Sequence, residues 1–401
     1  MRILILHQNS FEQYEYDIAI DHEEHDVTYA GLSEHILRIP KHIRCEKMIW
    51  KDSEPVLDQL RLWMIESKPY EKIINRFEYL MLTAAILREE FSIPGMMFNI
   101  ATNFRDKVQM KKKVENGGLR VPRFFSVKEC PNKAPWIGKT ILKPRSEGAS
   151  QGITLFDSYT EAQEFISNQD ASEKEMYDDH YEVEEYLEGD IWHIDGYIFQ
   201  KKIIAIQSSY YIGTLLSYQN NGTPIGSVQK DNPELEDWAL KCLLSLEADS
   251  LTFHMEAIMT VDGPVFLEVG ARCGGAYVAD VFRLRQGIYL HNLDIASDVE
   301  GALATRFTNK ILNDKVFGWF LFPGHIYGES PCEVHVSNII LEDTDMVEYK
   351  MLSPETPTRN KGTYQPQTLP FAGIVSSNDS KSLDSSIKYI FNEVSIIAVS
   401  T

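Results

Sequence analysis

Basic residues are in short supply. The 401 residues hold 39 Lys and Arg against 59 Asp and Glu, a formal net charge of −20. A phosphate backbone is held by a basic surface, so this balance argues against nucleic acid as a partner. A nucleotide needs only local Lys and Arg and stays open. Cysteine is scarce as well. Cys45, Cys130, Cys242, Cys273 and Cys332 lie far apart and form no CxxC pair. That speaks against a zinc ribbon or a disulfide framework, and the odd count fits a reducing compartment. No run approaches the roughly 18 apolar residues of a membrane span, so no membrane partner is expected. The opening Met1–Ser10 is too short for a signal-peptide core, and the expected location is the cytoplasm. No G-x-G-x-x-G follows the first strand, and no G-K-[ST] stands at P-loop spacing.

What is there concentrates in Phe253–Gly275. Phe253–Met259 mostly alternates like a half-buried strand, Asp262-Gly263 is a strong turn signal, and Val265–Val269 returns. Glu256 and Glu268 then sit on adjacent strands. Two carboxylates at one spot repel unless a cation lies between them, and hard divalent cations take oxygen ligands. Arg272 follows, then Gly274-Gly275, where backbone can approach a ligand closely. The plain alternative is two acids on the wet face of a hairpin.

A second informative stretch is Thr140–Gly152. Thr140–Leu142 reads as a strand ending at Lys143, and Ser146–Gly152 as a flexible loop before the strand Ile153–Phe156. A glycine- and serine-rich loop beside a lysine can fold its amides over phosphates.

The remaining chain divides into four parts. Residues 1–100 alternate strands (2–7, 26–30, 72–74) with helices (55–67, 80–90), which implies a small α/β domain with a parallel sheet. Glu78 follows its last strand, where ligands meet α/β sheets, although an exposed loop acid is the plainer account. Residues 101–180 open with a helix capped by Asp106, whose Lys107, Lys111, Lys112 and Lys113 read mostly as a solvated face. Residues 170–179 are acidic and read as a loop. Residues 181–300 hold a strand at 181–187, a hairpin over 192–207, a Gly/Asn/Ser/Pro loop at 217–228, a helix at 232–246 and another at 289–299. Residues 301–401 read as a small α+β cap, with strands at 316–321, 333–340, 346–351, 373–376 and 395–399 and a helix at 382–392.

The order of these parts resembles the ATP-grasp superfamily of carboxylate–amine ligases, in its amino-acid ligase branch. Four segments carry the resemblance over roughly residues 70–300: Arg105-Asp106-Lys107 with Met110 before Val121-Pro122; Leu142-Lys143-Pro144 with its glycine loop; Val183–Gly189; and the Glu256/Glu268/Arg272 hairpin. The resemblance implies mixed α/β and α+β architecture: an N-terminal α/β domain, two central α+β lobes clasping ATP, and a C-terminal cap. It implies that Lys107 and Lys143 hold ATP phosphates, that Ser146, Gly148, Ser150 and Gly152 belong to the loop closing over them, and that Glu184, Glu185, Tyr186 and Leu187 lie beside adenine. Glu188 or Asp190, with His193 as a lesser candidate, would meet the ribose. Glu256 and Glu268 would bind Mg2+, or Mn2+ in its place, and Arg272 would face the transferred phosphate. Many relatives carry Asn where this chain has Gly270, which puts the number of metal ions in doubt. Cys273 beside Arg272 reads as a packed residue rather than a nucleophile.

The activity so implied is ATP-dependent joining of a carboxylate to an amine through an acyl-phosphate. Glu78, Arg283, Arg285 and Trp192 are candidate substrate residues; on a helix, Arg283 and Arg285 would diverge. The expected partners are a small carboxylate and an amine, with a carrier protein as an alternative acceptor and a homo-oligomer compatible. Two alternatives remain: a silent ATP-binding module, and a carboxylase-type enzyme using bicarbonate, for which no A-M-K-M biotinylation site is present.

Overall fold

Three sheets carry the chain in the computed structural model, which describes residues 1–399. The first is parallel and four-stranded: β1 (Arg2–Leu6), β2 (Asp26–Gly31), β3 (Glu46–Ile49) and β4 (Lys72–Asn75), in the order β3-β2-β1-β4. Ile3, Leu4, Ile5, Ile73 and Ile74 are almost wholly buried, as strands covered on both faces require. Strand β3 is missing from the sequence reading because, of its four residues, only Met48 is buried. Such an edge leaves little apolar signal.

The second sheet is antiparallel, with order β5-β8-β6-β7: β5 (Phe124–Ser126), β6 (Thr140–Pro144), β7 (Thr154–Phe156) and β8 (Tyr181–Glu185). Two helices flank it, and the second corrects the sequence reading. Residues 171–180 are helical rather than a loop. Asp170 caps that helix, accepting from the amides of Ser172 and Glu173 at 2.9 Å each. Its surface composition masked it: no residue of the helix is fully buried.

The third sheet has eight antiparallel strands, in the order β13-β12-β9-β10-β11-β14-β17-β16. They are β9 (Asp190–Phe199), β10 (Lys202–Ile212), β11 (Ile225–Gln229), β12 (Leu251–Thr260), β13 (Gly263–Gly270), β14 (Val316–Phe322), β16 (Met346–Met351) and β17 (Phe371–Ser377). A ribbon of β15 (Cys332–His335) and β18 (Ser395–Ala398) stands apart. Strands from the last hundred residues thus continue the sheet that begins at residue 190.

Two more corrections fall here. The expected loop at 217–228 is a short helix, Leu215–Asn221, followed by the wholly buried β11. Its Gly226 is small because the helix Ser380–Glu393 lies on it: a Cβ there would come within 2.8 Å of Ile387. The stretch 333–340 bends from β15 into the helix Asn338–Leu341.

Alternation decides what β9 and β12 do. Ile194, Phe253, Met255 and Ala257 enter the largest apolar core with Leu235, Ala239 and Leu243 of the helix Pro233–Ser245. His193, Asp195, His254 and Glu256 occupy the alternate positions and turn to the other face. Fully burying each large apolar side chain stabilises by roughly 1.5–3 kcal/mol, so this core holds the polar face rigidly.

Candidate active site

The hairpin forms as its sequence spacing implies. Glu256 of β12 and Glu268 of β13 are direct cross-strand partners, with a register shift immediately after Glu256. Both line one cavity of about 240 Å3, which lies between the second and third sheets. Glu256 is buried and accepts from the Tyr211 hydroxyl at 3.0 Å, with His254 Nε2 3.6 Å away. Burial would raise the Glu256 carboxyl, but His254 outweighs it and the group is held low. His254 is in turn fixed by Asp195 at 2.7 Å; burial opposes its charge, yet Asp195 and Glu256 raise it to about 10. Glu268 is more open and pairs with Lys107 Nζ at 3.0 Å.

Lys107 begins the helix Lys107–Asn116, where the Asp106 carboxylate accepts from the Val108 and Gln109 amides at 3.0 and 3.2 Å. Such a cap contributes about 1 kcal/mol and fixes the lysine at the helix start. Lys107 Nζ also donates to the Glu147 carbonyl at 2.6 Å, so it bridges the glycine loop and the acidic hairpin. Lys143 lies one residue before the end of β6 and donates to Glu184 Oε1 at 3.0 Å. Burial alone would lower this lysine, but Glu184, Glu182 and Glu268 hold it well above its ordinary value.

The structure corrects the reading of the helix lysines. Lys111 is fully buried rather than solvated, and bonds both Glu182 (2.7 Å) and Glu184. Lys111, Lys143, Glu182 and Glu184 therefore form a closed two-plus-two cluster. Glu184 accordingly contributes its side chain to the lysines, not to a base. Farther along, the Glu185 amide donates to the Arg123 carbonyl and the Tyr186 amide to the Lys139 carbonyl, at 2.9 and 3.0 Å. The Leu187 amide has no partner among the described residues, and Leu187 lines the cavity with Tyr186 and Ile191. Ile141, Ile258 and Leu267 make this end apolar, which suits a flat base.

Of the loop residues, Gly148 and Ser150 line the cavity with Glu147, Ala149 and Gln151. Ser146 acts through its carbonyl, which accepts from Arg105. Gly152 shapes the loop: its φ is +71°, and a Cβ there would come within 2.8 Å of Pro144.

Glu78 is the clearest gain over the sequence. It is a largely buried acid between two arginines, with Arg272 Nε at 2.6 Å and Arg105 on its other oxygen. Burial would raise its carboxyl, but Arg272 and Arg105 bring it down to about 2. Arg272 lies over Gly270, where a Cβ would stand 3.4 Å from its Cγ. Cys273 is buried and its thiol is pushed well up by burial, so it stays a packed thiol.

Several candidates are placed elsewhere. His193 is buried, bonded to Asp195 (2.5 Å) and Ser227 (2.6 Å), and cannot reach a ribose. Glu188 and Asp190 are exposed and outside the cavity wall. Arg283 and Arg285 lie on the helix Val278–Gln286 and neither lines the cavity. Arg283 pairs with Glu15 at 2.8 Å, while Arg285 is buried and donates to the carbonyls of Asn313 and Lys315. Trp192 packs in the large core beneath the Lys230 ammonium. Reasoning from sequence missed Lys111, Arg105, Tyr211 and His254. His254 alone had a legible signal, being two residues before Glu256 on one strand face.

No protein-family model matches the sequence, and no curated protein matches it. Solved structures do. An L-amino acid ligase from Bacillus licheniformis is 17% identical, covers 100% of this chain and 99% of its own, and superposes with a TM-score of 0.74. A phosphoribosylglycinamide synthetase from Anaerococcus prevotii is 15% identical over 99% of each chain, at a TM-score of 0.69. The biotin carboxylase domain of the 2-oxoglutarate carboxylase from Hydrogenobacter thermophilus, solved with MgADP, ADP and bicarbonate, is 13% identical. It covers 100% of this chain and 91% of its own, at a TM-score of 0.65. Identities this low carry the fold and not the substrate. The fold of this chain, over its whole length, is that of the ATP-grasp ligases.

Proposed function

We propose that the chain is an ATP-dependent ligase that activates a carboxylate, that of an amino acid, and joins it to an amine. The observation that carries this reading is one cavity that gathers Lys107, Lys143, Glu256, Glu268 and Arg272 beside an apolar slot.

Glu256 and Glu268 present carboxylate oxygens from adjacent strands, a donor set that fits Mg2+ or Mn2+. Such an ion, when bound, neutralises charge on phosphate oxygens. Lys107 and Lys143 offset the remaining phosphate charge, and the buried cluster behind Lys143 keeps its ammonium aimed. The loop from Ser146 to Gly152 covers the phosphates and excludes water. A substrate carboxylate oxygen attacks the terminal phosphorus of ATP, and the P–O bond to ADP breaks. A neutral amine then attacks the acyl carbon, the C–O bond to phosphate breaks, the departing phosphate takes the nitrogen's extra proton, and an amide remains. Arg272, oriented by Glu78, stabilises the oxygens of the transferred phosphoryl group. We propose a free amino acid or another small amine as the acceptor.

The test is phosphate release from ATP and Mg2+ against amino acids offered singly and in pairs. Release that requires a particular pair and falls by about 100-fold or more in Glu268→Ala supports the ligase. ATP binding without release for any pair favours a silent module. Release with bicarbonate alone favours the carboxylase-type reading.

A further inference from the structure

A second cavity, of about 500 Å3, opens where the first sheet meets the third. The end of β4, the helix Met81–Glu90, the segment 95–100 and the turn between β9 and β10 form its walls. None of the groups assigned to ATP, metal or phosphoryl transfer lines it.

Three cations do. Two are already matched: Arg76 pairs with Asp294 (2.8 Å) and Asp298 (3.2 Å), and Lys72 lies 3.6 Å from Asp298. Arg88 is different. It is 6% exposed and no carboxylate pairs with it among the described residues. Its terminal nitrogens donate to the carbonyls of Ile73 (2.6 Å) and Met96 (3.2 Å), and its Nε has no partner. Gly95 keeps room beside it, since a Cβ there would come within 2.7 Å of that Nε. Burial presses the guanidinium down to about 10, which still leaves it charged near neutral pH. Asp298 attracts the guanidinium without reaching ion-pair distance, and a buried cation with no paired carboxylate is costly unless an anion meets it.

The surroundings select the anion. Only one lining cation lacks an ion pair among the described residues, and Asp294 and Asp298, with the exposed Glu247 and Asp249, repel a dianion. Met81, Met96, Ile100 and Leu251 supply an apolar wall, and the volume suits a small molecule. We propose that this cavity is a second ligand site, which takes a small monocarboxylate with an apolar body and holds its carboxylate on Arg88. The site stands independently of the ligase reaction.

The test is calorimetric titration of the full chain with 4-methylpentanoate, beside 4-methylpentanamide and inorganic phosphate. One carboxylate is expected per chain, with the amide and phosphate at least about 10-fold weaker. Arg88→Met is expected to abolish binding, and Arg88→Lys to retain it in weakened form. Because Arg88 also holds two carbonyls, Ile100→Trp provides a second variant that fills the cavity with Arg88 intact. It too is expected to abolish binding while circular dichroism stays unchanged, whereas Arg272→Ala leaves binding in place. The proposal is overturned by no heat from wild type, by binding that survives Ile100→Trp, by loss in Arg272→Ala, or by phosphate binding as tightly as the carboxylate.

Discussion

Glu78 shows how a single acid can organise a site that its local sequence does not advertise. It holds Arg272 toward the cavity and Arg105 against the Ser146 carbonyl. Its folded-state carboxyl lies near 2 against an ordinary 4.5, so its contribution to stability is present above pH 4.5 and is lost as pH falls toward 2. Glu78→Gln should therefore destabilise the protein by on the order of 3 kcal/mol near neutral pH. Denaturant titrations of wild type and variant should converge as pH is lowered through that window; a constant gap would contradict the account. Lys111 makes a related point inside the small sheet. Removing one member of a buried ion cluster leaves another charge uncompensated, at a cost of roughly 3–5 kcal/mol. Lys111→Met should show that loss in urea unfolding and should raise KM for ATP, because Glu184 then pulls Lys143 out of line. Unchanged stability would mean that the cluster carries no net weight.

Among the elements, the loop between β6 and β7 is the one whose conformation matters most. Ala149, Ser150 and Gly152 all have positive φ, of 57°, 56° and 71°. That backbone disfavours side chains, by about 1–2 kcal/mol for an L-residue in the left-handed region. Gly152→Ala adds a contact of 2.8 Å on Pro144. It is expected to weaken ATP binding several-fold and to lower Tm by a few degrees. A KM for ATP equal to that of wild type would remove the loop from the phosphate site. The hairpin of β12 and β13 was more legible, because alternation and an Asp-Gly turn put the two glutamates on adjacent strands, although a register shift after Glu256 is what brings Glu268 directly opposite it. The helix 171–180 and strand β11 were not. The first has a surface composition, and the second owes its burial to a helix more than 150 residues later in the chain.

For the whole molecule, the join between the first and third sheets rests on Arg76, which reaches from the end of β4 to Asp294 and Asp298 on the helix Leu290–Glu300. Both cavities border this join, one through Arg76 and Ala271 and the other through Arg272. Arg76→Met should cost roughly 3–5 kcal/mol and loosen the N-terminal sheet against the rest. Limited proteolysis should then cut first near residues 91–100; an unaltered digestion pattern would show that other contacts hold the join. The sequence by itself determined which residue types could meet ATP and a metal ion, since turn chemistry and strand alternation act over a few neighbours. It also determined the order of the parts, through four short motifs. Only the tertiary structure decided that Lys111 is buried, that His193, Arg283 and Arg285 point away, and that Arg88 stands without a paired carboxylate. Those outcomes depend on which distant element packs against each side chain, and no local pattern encodes the depth of burial or the partner across a sheet.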